Sequence, residues 1–411
     1  MSTAPLQAVR ARRAVSFFFI LLGTVSGAWA ARIPAVKTDL GLSDGQLSYG
    51  LLAIAVGLVV GMRFAGRLTD HFGSARVIVP AGVATALTVI PPGYAPTLPT
   101  LIAALFLYGV VNASLDVSMN AHGVEVERAY GRPIMSSFHG MFSIGGLIGA
   151  ALGGLGALLG LGAGPTLAAT GIPLALISVY AGRHLLPATR TRDTRDQAAP
   201  TRASWTGWIV LMGVVAFAGL VGEGAAVDWT SVYLYEDLHA SETVAALGFA
   251  VFSVAMTVGR FAGDHLALKY GPVLLVRVSG VVAALGLGTA LVIGSVPVAI
   301  AGFALFGLGL ATIVPQVFSA AGNHDPARAG QAIAQVATVG YTGLVAGPAI
   351  IGSVSELTDL PTALAIPAVL AAFMAASAGA LRPRTPSGRA AGRTGAEGTG
   401  TDTAPAARPD S

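Results

Sequence analysis

The chain has 411 residues, of which 54% are hydrophobic and 11% charged, with a formal net charge of +4 and no cysteine. A soluble globular protein carries about 25% charged residues, so the composition is that of an integral membrane protein, and neither a disulfide nor a thiolate metal site can form. The basic residues are scattered between apolar spans, which ties them to membrane topology and gives no reason to expect a nucleic-acid partner.

Residues 1–13 read as a short cytoplasmic N-terminus, with Arg10, Arg12 and Arg13 ahead of an apolar run from Ala14 to Ala31. Ala28-Trp29-Ala30 has the small-x-small pattern of a signal-peptidase site, but cleavage there would leave an odd number of spans and break the internal repeat. At about 20 apolar residues per crossing, twelve helices are expected, roughly at 14–34, 45–65, 76–95, 98–122, 134–158, 162–182, 206–227, 242–262, 272–294, 297–321, 330–353 and 361–381. The fold class is therefore all-α, with one six-helix bundle over 14–183, a basic, proline-containing linker over 184–205, and a second bundle over 206–381. Residues 382–411, rich in Gly, Ala, Thr, Pro and Arg, read as a disordered cytoplasmic tail. Every Lys and Arg except Arg32 and Lys37 lies at the N-terminus, in the tail, or in and beside the alternate loops that begin with 66–76. That bias predicts a multi-pass plasma-membrane protein with both termini cytoplasmic.

The two halves repeat at a nearly constant offset. Asp39-Leu40 matches Asp237-Leu238, Ser43-Asp44 matches Ser241-Glu242, Gly50 matches Gly248, and Arg63-Phe64-Ala65-Gly66 returns as Arg260-Phe261-Ala262-Gly263. Ser43 and Ser241 also stand where each can cap the apolar helix it precedes. After the first block comes the turn Gly66-Arg67-Leu68-Thr69-Asp70-His71-Phe72-Gly73-Ser74-Ala75-Arg76, and after the second come Asp264, Lys269, Gly271 and Arg277.

With this turn the sequence resembles the major facilitator superfamily over essentially 14–381: a glycine, an acid four residues on and a second glycine three later, between helices two and three. It departs from the pattern at His71, Ser74 and Ala75. Leu115-Asp116-Val117-Ser118-Met119-Asn120 and the stretch from Ser136 to Gly149 resemble the fucose-permease-like branch of bacterial inner-membrane members. The resemblance implies two pseudo-symmetric six-helix bundles, a substrate cavity between them near mid-membrane, and transport by rocking one bundle against the other. It further implies a cytoplasmic gate at Gly66, Arg67, Asp70, Gly73 and Arg76, with Arg260 and Asp264 from the second copy. Asp70 would latch against the second bundle, with Arg67 and Arg76 as nearby charge partners.

Within the expected spans, Asp116 stands out. Asn112 and Asn120 lie four residues to either side, so the three spread over about 80° of one helix face. An acid at the centre of a membrane helix costs about 2.5 to 3.5 kcal/mol to insert, which argues for a cavity or helix-facing position. Taking up a proton removes that charge, so Asp116 is a candidate proton carrier, as the branch resemblance also implies; the plainer reading is an interhelical hydrogen-bond cluster. Glu223, between Gly222 and Gly224, is a second proton or cation candidate, whereas Asp228 beside Trp229 reads as interfacial. Arg32 would snorkel, close the outer gate or bind an anionic substrate. His139 is either a cavity residue or a packing histidine, Gln316, Gln331 and Gln335 are cavity donors, and Trp29 either stacks on a planar ligand or packs.

Gly160-Leu161-Gly162 and Gly286-Leu287-Gly288 follow no strand, so nucleotide binding is unsupported. There is no nucleophile elbow, zinc-ligand spacing or Walker lysine, so neither an enzyme, an ATP-driven pump, a metal nor a cofactor is expected. The preferred function is proton-coupled import of a small polar solute such as a sugar, by a monomer whose partners are that solute, protons and the bilayer. A proton-driven exporter is the alternative, weakened by a helix five that reads Gly145-Gly146-Leu147-Ile148-Gly149-Ala150 without proline. A receptor that kept the fold and lost transport is the third reading.

Overall fold

The computed structural model describes residues 5–42, 44–187 and 205–382. Ser43, most of the linker and the tail, and so the sequence readings of the Ser43 cap, the linker arginines from Arg190 to Arg202 and the tail's disorder, lie outside the described residues. The first half comprises α1 (Leu6–Asp39), α2 (Asp44–Phe72), α3 (Ser74–Thr88), α4 (Leu98–Tyr130), α5 (Met135–Leu158) and α6 (Ala163–Gly182). The second begins with α7 (Gly207–Val232), continues through a 52-residue helix Glu242–Ile293, then α10 (Val296–His324, irregular at Ala311 and Thr312), α11 (Ala329–Leu357) and α12 (Leu360–Ser377).

Eleven helices among the described residues are long and apolar enough to cross a membrane, and one of them counts twice. A straight 52-residue helix would measure about 78 Å, more than twice the roughly 30 Å hydrocarbon layer. It is broken at Gly271, whose φ of 76° and ψ of 161° are not helical, giving α8 over 242–270 and α9 over 272–293. Gly73, between α2 and α3, has nearly the same conformation, φ 86° and ψ 143°. Residues with a Cβ rarely adopt this positive-φ extended region, so a glycine is required at the same joint in each half. Each of the twelve expected spans overlaps one of these helices, although 76–95 runs past the end of α3 at Thr88 and 361–381 past the end of α12 at Ser377. α1, α2 and α4 overrun their apolar segments because a helix continues into the interface as long as its residues favour it, and hydropathy alone does not mark its end.

The halves are built alike. α1 pairs with α5 and α2 with α4; α7 pairs with α11 and α8 with α10. Small residues let the backbones touch: a Cβ on Gly23 would lie 2.0 Å from the Phe142 carbonyl oxygen, and one on Gly149 equally close to that of Thr24. In a bilayer, where apolar burial does not drive helices together, this close packing is the main source of adhesion. Ser241 caps α8, its hydroxyl accepting the Val244 N–H at 3.4 Å.

The two bundles meet through α2 with α11, α5 with α8 and α10, and α4 with α10 and α11. The side-chain hydrogen bonds that join them concentrate at the face that carries the 66–76 turn, called the motif face below.

Candidate functional site: a latched face and a buried charge cluster

At the motif face, Asp70 ends α2 and accepts the backbone N–H groups of Gly330 (2.8 Å) and Gln331 (3.1 Å), the free donors at the N-terminus of α11 in the other half. Asp264 of α8 does the same in reverse. It accepts the N–H groups of Ser136 (2.9 Å) and Ser137 (3.0 Å) at the N-terminus of α5. A carboxylate at a helix N-terminus satisfies orphan donors and meets the positive end of the dipole, so each contact is a charge-assisted clamp between bundles. The interval from Asp70 to Asp264 is also the interval from Ser136 to Gly330 and from Ser137 to Gln331. The sequence repeat, by contrast, aligns Asp70 with Ala267, so the second acid works about one turn deeper than the repeat implies.

Gly66 fits the same contact: a Cβ there would stand 2.9 Å from Ala334, Gln331 and Gly330 atoms of α11. Arg67 and Arg76 are exposed at this face. Four further cross-bundle bonds are made by three residues, Glu127, Arg128 and Gln316, of which only Gln316 stands out in the sequence. Glu127 of α4 holds the Ile134 and Met135 N–H groups and accepts the Ser319 hydroxyl of α10. Arg128 donates to Asn323 Oδ1 at 2.6 Å and to the Gly322 carbonyl, closing the end of α10. Gln316, buried on α10, donates to Ser136 Oγ at 3.4 Å. Adjacent opposite charges just beyond the expected fourth span, Glu127-Arg128, were the available signal for this region.

Deeper in the membrane lies the second constellation. Asp116, Asn112 and Asn120 are all buried on one face of α4, and Asn120 Nδ2 donates to the Asp116 backbone carbonyl (2.8 Å) and to Oδ1 (3.1 Å). Asp116 Oδ2 and Asn120 Oδ1 are buried without a hydrogen-bond partner. The Tyr341 phenol of α11 lies beside the Asp116 carboxyl and within electrostatic reach of Glu223 on α7. Glu223 accepts from Arg260 Nη2 through both oxygens at 3.1 Å, and Arg260 Nη1 donates to Ser143 Oγ of α5 at 2.6 Å. His139 of α5 adjoins Arg260, packs between Phe19 and Phe318, and leaves Nε2 buried and unbonded.

The cluster thus runs Asp116, Tyr341, Glu223, Arg260, Ser143, with members drawn from both halves. Two acids and one base give it a net charge of −1 when all are ionised. One proton makes it neutral.

The remaining sequence candidates lie outside this cluster. Arg32 is buried and donates to the Leu161 carbonyl at 2.7 Å, between α1 and the α5–α6 turn of its own half. Trp29 is buried in the core of the first bundle, its indole N–H without a partner. Gln335 is half-buried on α11. Tyr108, one turn before Asn112, shares a hydrogen bond with Ser26 of α1 at 3.4 Å, which extends the polar face of α4 towards α1. Arg260, expected at the gate because its sequence block repeats Arg63 to Gly66, stands in the central cluster one turn in from Asp264.

A family model described as Major Facilitator Superfamily matches residues 14–341 and again 211–407. The chain belongs to the major facilitator superfamily. An uncharacterized MFS-type transporter of Yersinia pestis is 36% identical over 365 residues, covering 88% of this chain and 94% of the relative. Among solved structures, FucP in the outward conformation superposes with a TM-score of 0.76 over 92% of this chain and 99% of its own, at 14% identity. The proton:xylose symporter XylE gives 0.71 over 90% and 94%, at 12% identity. At such identities these two show the fold. The protein is accordingly a multi-pass membrane transporter of this superfamily, and members of the family bind small molecules within the membrane.

Proposed function

We propose that the chain is a proton-coupled importer of a small polar solute, with Asp116 as the proton carrier. The observation that carries this reading is a buried acid without a basic partner on α4, faced by Tyr341 from the opposite bundle. A carboxylate in that position is costly when charged and inexpensive when protonated, so its proton and the packing of α4 against α11 depend on each other. Rocking the bundles moves Tyr341 relative to Asp116 and changes what the carboxyl can bond to. Asn112, Asn120 and Tyr341 offer neutral donors and acceptors suited to hydroxyl groups. The likeness in fold to a proton:xylose symporter supports the sugar class.

In this reading the motif face is cytoplasmic, in line with the basic residues there, and both termini lie on that side of the plasma membrane. Asp70 and Asp264 latch that side shut, so the described state is the one open to the outside. The chain acts as a monomer, uses no cofactor and performs no covalent chemistry. The test is uptake into vesicles of candidate sugars and polyols under an imposed pH gradient. Wild type should accumulate substrate only with the gradient, and Asp116→Asn should exchange substrate without accumulating it. Gradient-driven accumulation that survives Asp116→Asn removes Asp116 from the coupling.

A further inference from the structure

The ion pair between Glu223 and Arg260 is not used by the reading of Asp116 as proton carrier. Its geometry points to a second component of the cargo. We infer that the substrate carries a carboxylate, which takes the place of Glu223 on Arg260 while Glu223 takes up a proton; this rests on the transport reading above and narrows its substrate to a small hydroxylated carboxylic acid.

Three observations lead there. Arg260 is the base of the cluster, and it is anchored from behind: Nη1 is held by Ser143, while Nη2 faces both oxygens of Glu223. The acid is the more accessible partner, its side chain 25% exposed against 10% for Arg260. The next position on α7 is loosely packed, a Cβ on Gly224 meeting only a Leu344 side-chain atom within 4 Å, at 3.7 Å. An incoming anion therefore meets Glu223 first and finds a fixed guanidinium behind it, whose planar fork matches a carboxylate.

Charge makes the exchange obligatory. Protonating Glu223 alone would strand Arg260 as an unpaired buried cation, and binding an anion alone would put two carboxylates on one guanidinium. Each leaves a charge in the membrane interior without its partner. Together they cancel: the proton goes to a Glu223 carboxyl oxygen, the Nη2 hydrogen bonds pass to the substrate carboxylate, and the site's net charge does not change. The groups facing Glu223 agree with this. They are Arg260 on α8, Tyr341 on α11 with Asp116 beyond it on α4, and His139 on α5 beside Arg260. On α7 itself Asp228 is exposed further along the helix. α10 and α12 present no charged side chain between Val296 and Asn323 or between Leu360 and Ser377. The hydroxyls of the same substrate would reach Asn120 and Asn112 across Tyr341.

The experiment uses the purified full chain, with acetate and gluconate as probes and sorbitol and glucose as their uncharged counterparts. Binding is read by thermal shift and proton uptake in weakly buffered solution from acid to alkaline pH. One proton taken up per carboxylate bound predicts an apparent affinity that strengthens about tenfold for each unit fall in pH. In Glu223→Gln the pH slope should flatten, with carboxylates bound across the range. Arg260→Gln should lose them, and Arg260→Lys, which keeps the charge in case the glutamine variant folds poorly, should retain weaker, still pH-dependent binding. Carboxylate binding that is absent or independent of pH in wild type, or unchanged in Arg260→Gln, overturns the inference. Gradient-driven uptake of sorbitol or glucose with no carboxylate binding would overturn it and leave the transport reading standing. Carboxylate binding without uptake of any probe would do the reverse.

Discussion

The motif face and the membrane centre treat the twofold repeat in opposite ways. At the motif face both halves do the same thing: an acid from α2 or α8 clamps the N-terminus of α11 or α5, at one common interval in the sequence. At the centre the halves differ. The first contributes a lone acid, Asp116, with amide and hydroxyl neighbours, and the second contributes an ion pair, Glu223 with Arg260. In the proposed transport reading the difference has a use: two equal clamps share the mechanical task of closing a gate, whereas a site that binds a proton and a solute must change its charge state in one place and hold a fixed charge in another.

The largest effect should follow from Asp116→Asn, the smallest change that removes the ionisable group and keeps the shape. Gradient-driven accumulation should fall by up to about 100-fold, the upper range of a lost coupling free energy, while exchange of substrate without a gradient persists. Arg260→Gln should come next. Breaking a buried pair costs about 3–5 kcal/mol, less at a site where Glu223 is partly exposed and can take a proton, so a loss of about 2 kcal/mol is expected in thermal unfolding. Adding Glu223→Gln should recover more than half of that loss. If the double variant is no more stable than Arg260→Gln, the two side chains do not act as a pair.

These two predictions differ in how far the sequence alone could reach. Asp116 was legible because an acid amid apolar residues, with amides one turn away on either side, is itself the anomaly. The fold was legible for the same reason, since spans, repeat and gate turn are all patterns of composition along the chain. Tyr341 and Ser143 were not, because a tyrosine or serine in a membrane helix is common and acquires meaning only from what stands across the bundle interface. Arg260 was misplaced for an instructive reason. Its block copies Arg63 to Gly66, but that repeat slips against the spatial one by about a turn, so the residue that looks like a gate element lies deeper, beside Glu223. Sequence similarity between halves reports shared ancestry of segments; the contacts report where each segment ends up.

The two clamps should be equal in strength. Hydrogen bonds to a charged group contribute about 1.5–3 kcal/mol, and an asparagine keeps one acceptor of the two needed, so Asp70→Asn and Asp264→Asn should each shift the closed face towards opening by about 1–2 kcal/mol, a factor of roughly 5–30. Because the protein has no cysteine, a single Gln316→Cys reports this directly through its labelling rate by a polar maleimide. Equal acceleration in the two variants would sustain the symmetry of the gate. Acceleration by Asp70→Asn alone would mean that Asp264 is held by α5 without holding it.

The finest comparison is between the two glycine joints and ordinary helical glycine. At Gly271 a Cβ would meet nothing within 4 Å, so Gly271→Ala introduces no clash and isolates the torsional cost of a φ of 76°. That cost is about 1–3 kcal/mol, and it should appear as a lower unfolding temperature with substrate binding unchanged. Gly288 is equally unobstructed but lies inside α9. There Gly→Ala should be neutral or stabilising by about 0.4–1 kcal/mol, because only the unfolded chain's freedom is reduced. Opposite signs at two equally open sites would show that the joint between α8 and α9 is set by backbone conformation rather than by packing. Since Gly73 holds the same conformation between α2 and α3, Gly73→Ala should resemble Gly271→Ala. A larger loss at Gly73 would mean that the turn beside Asp70 is also what keeps that clamp aimed at α11.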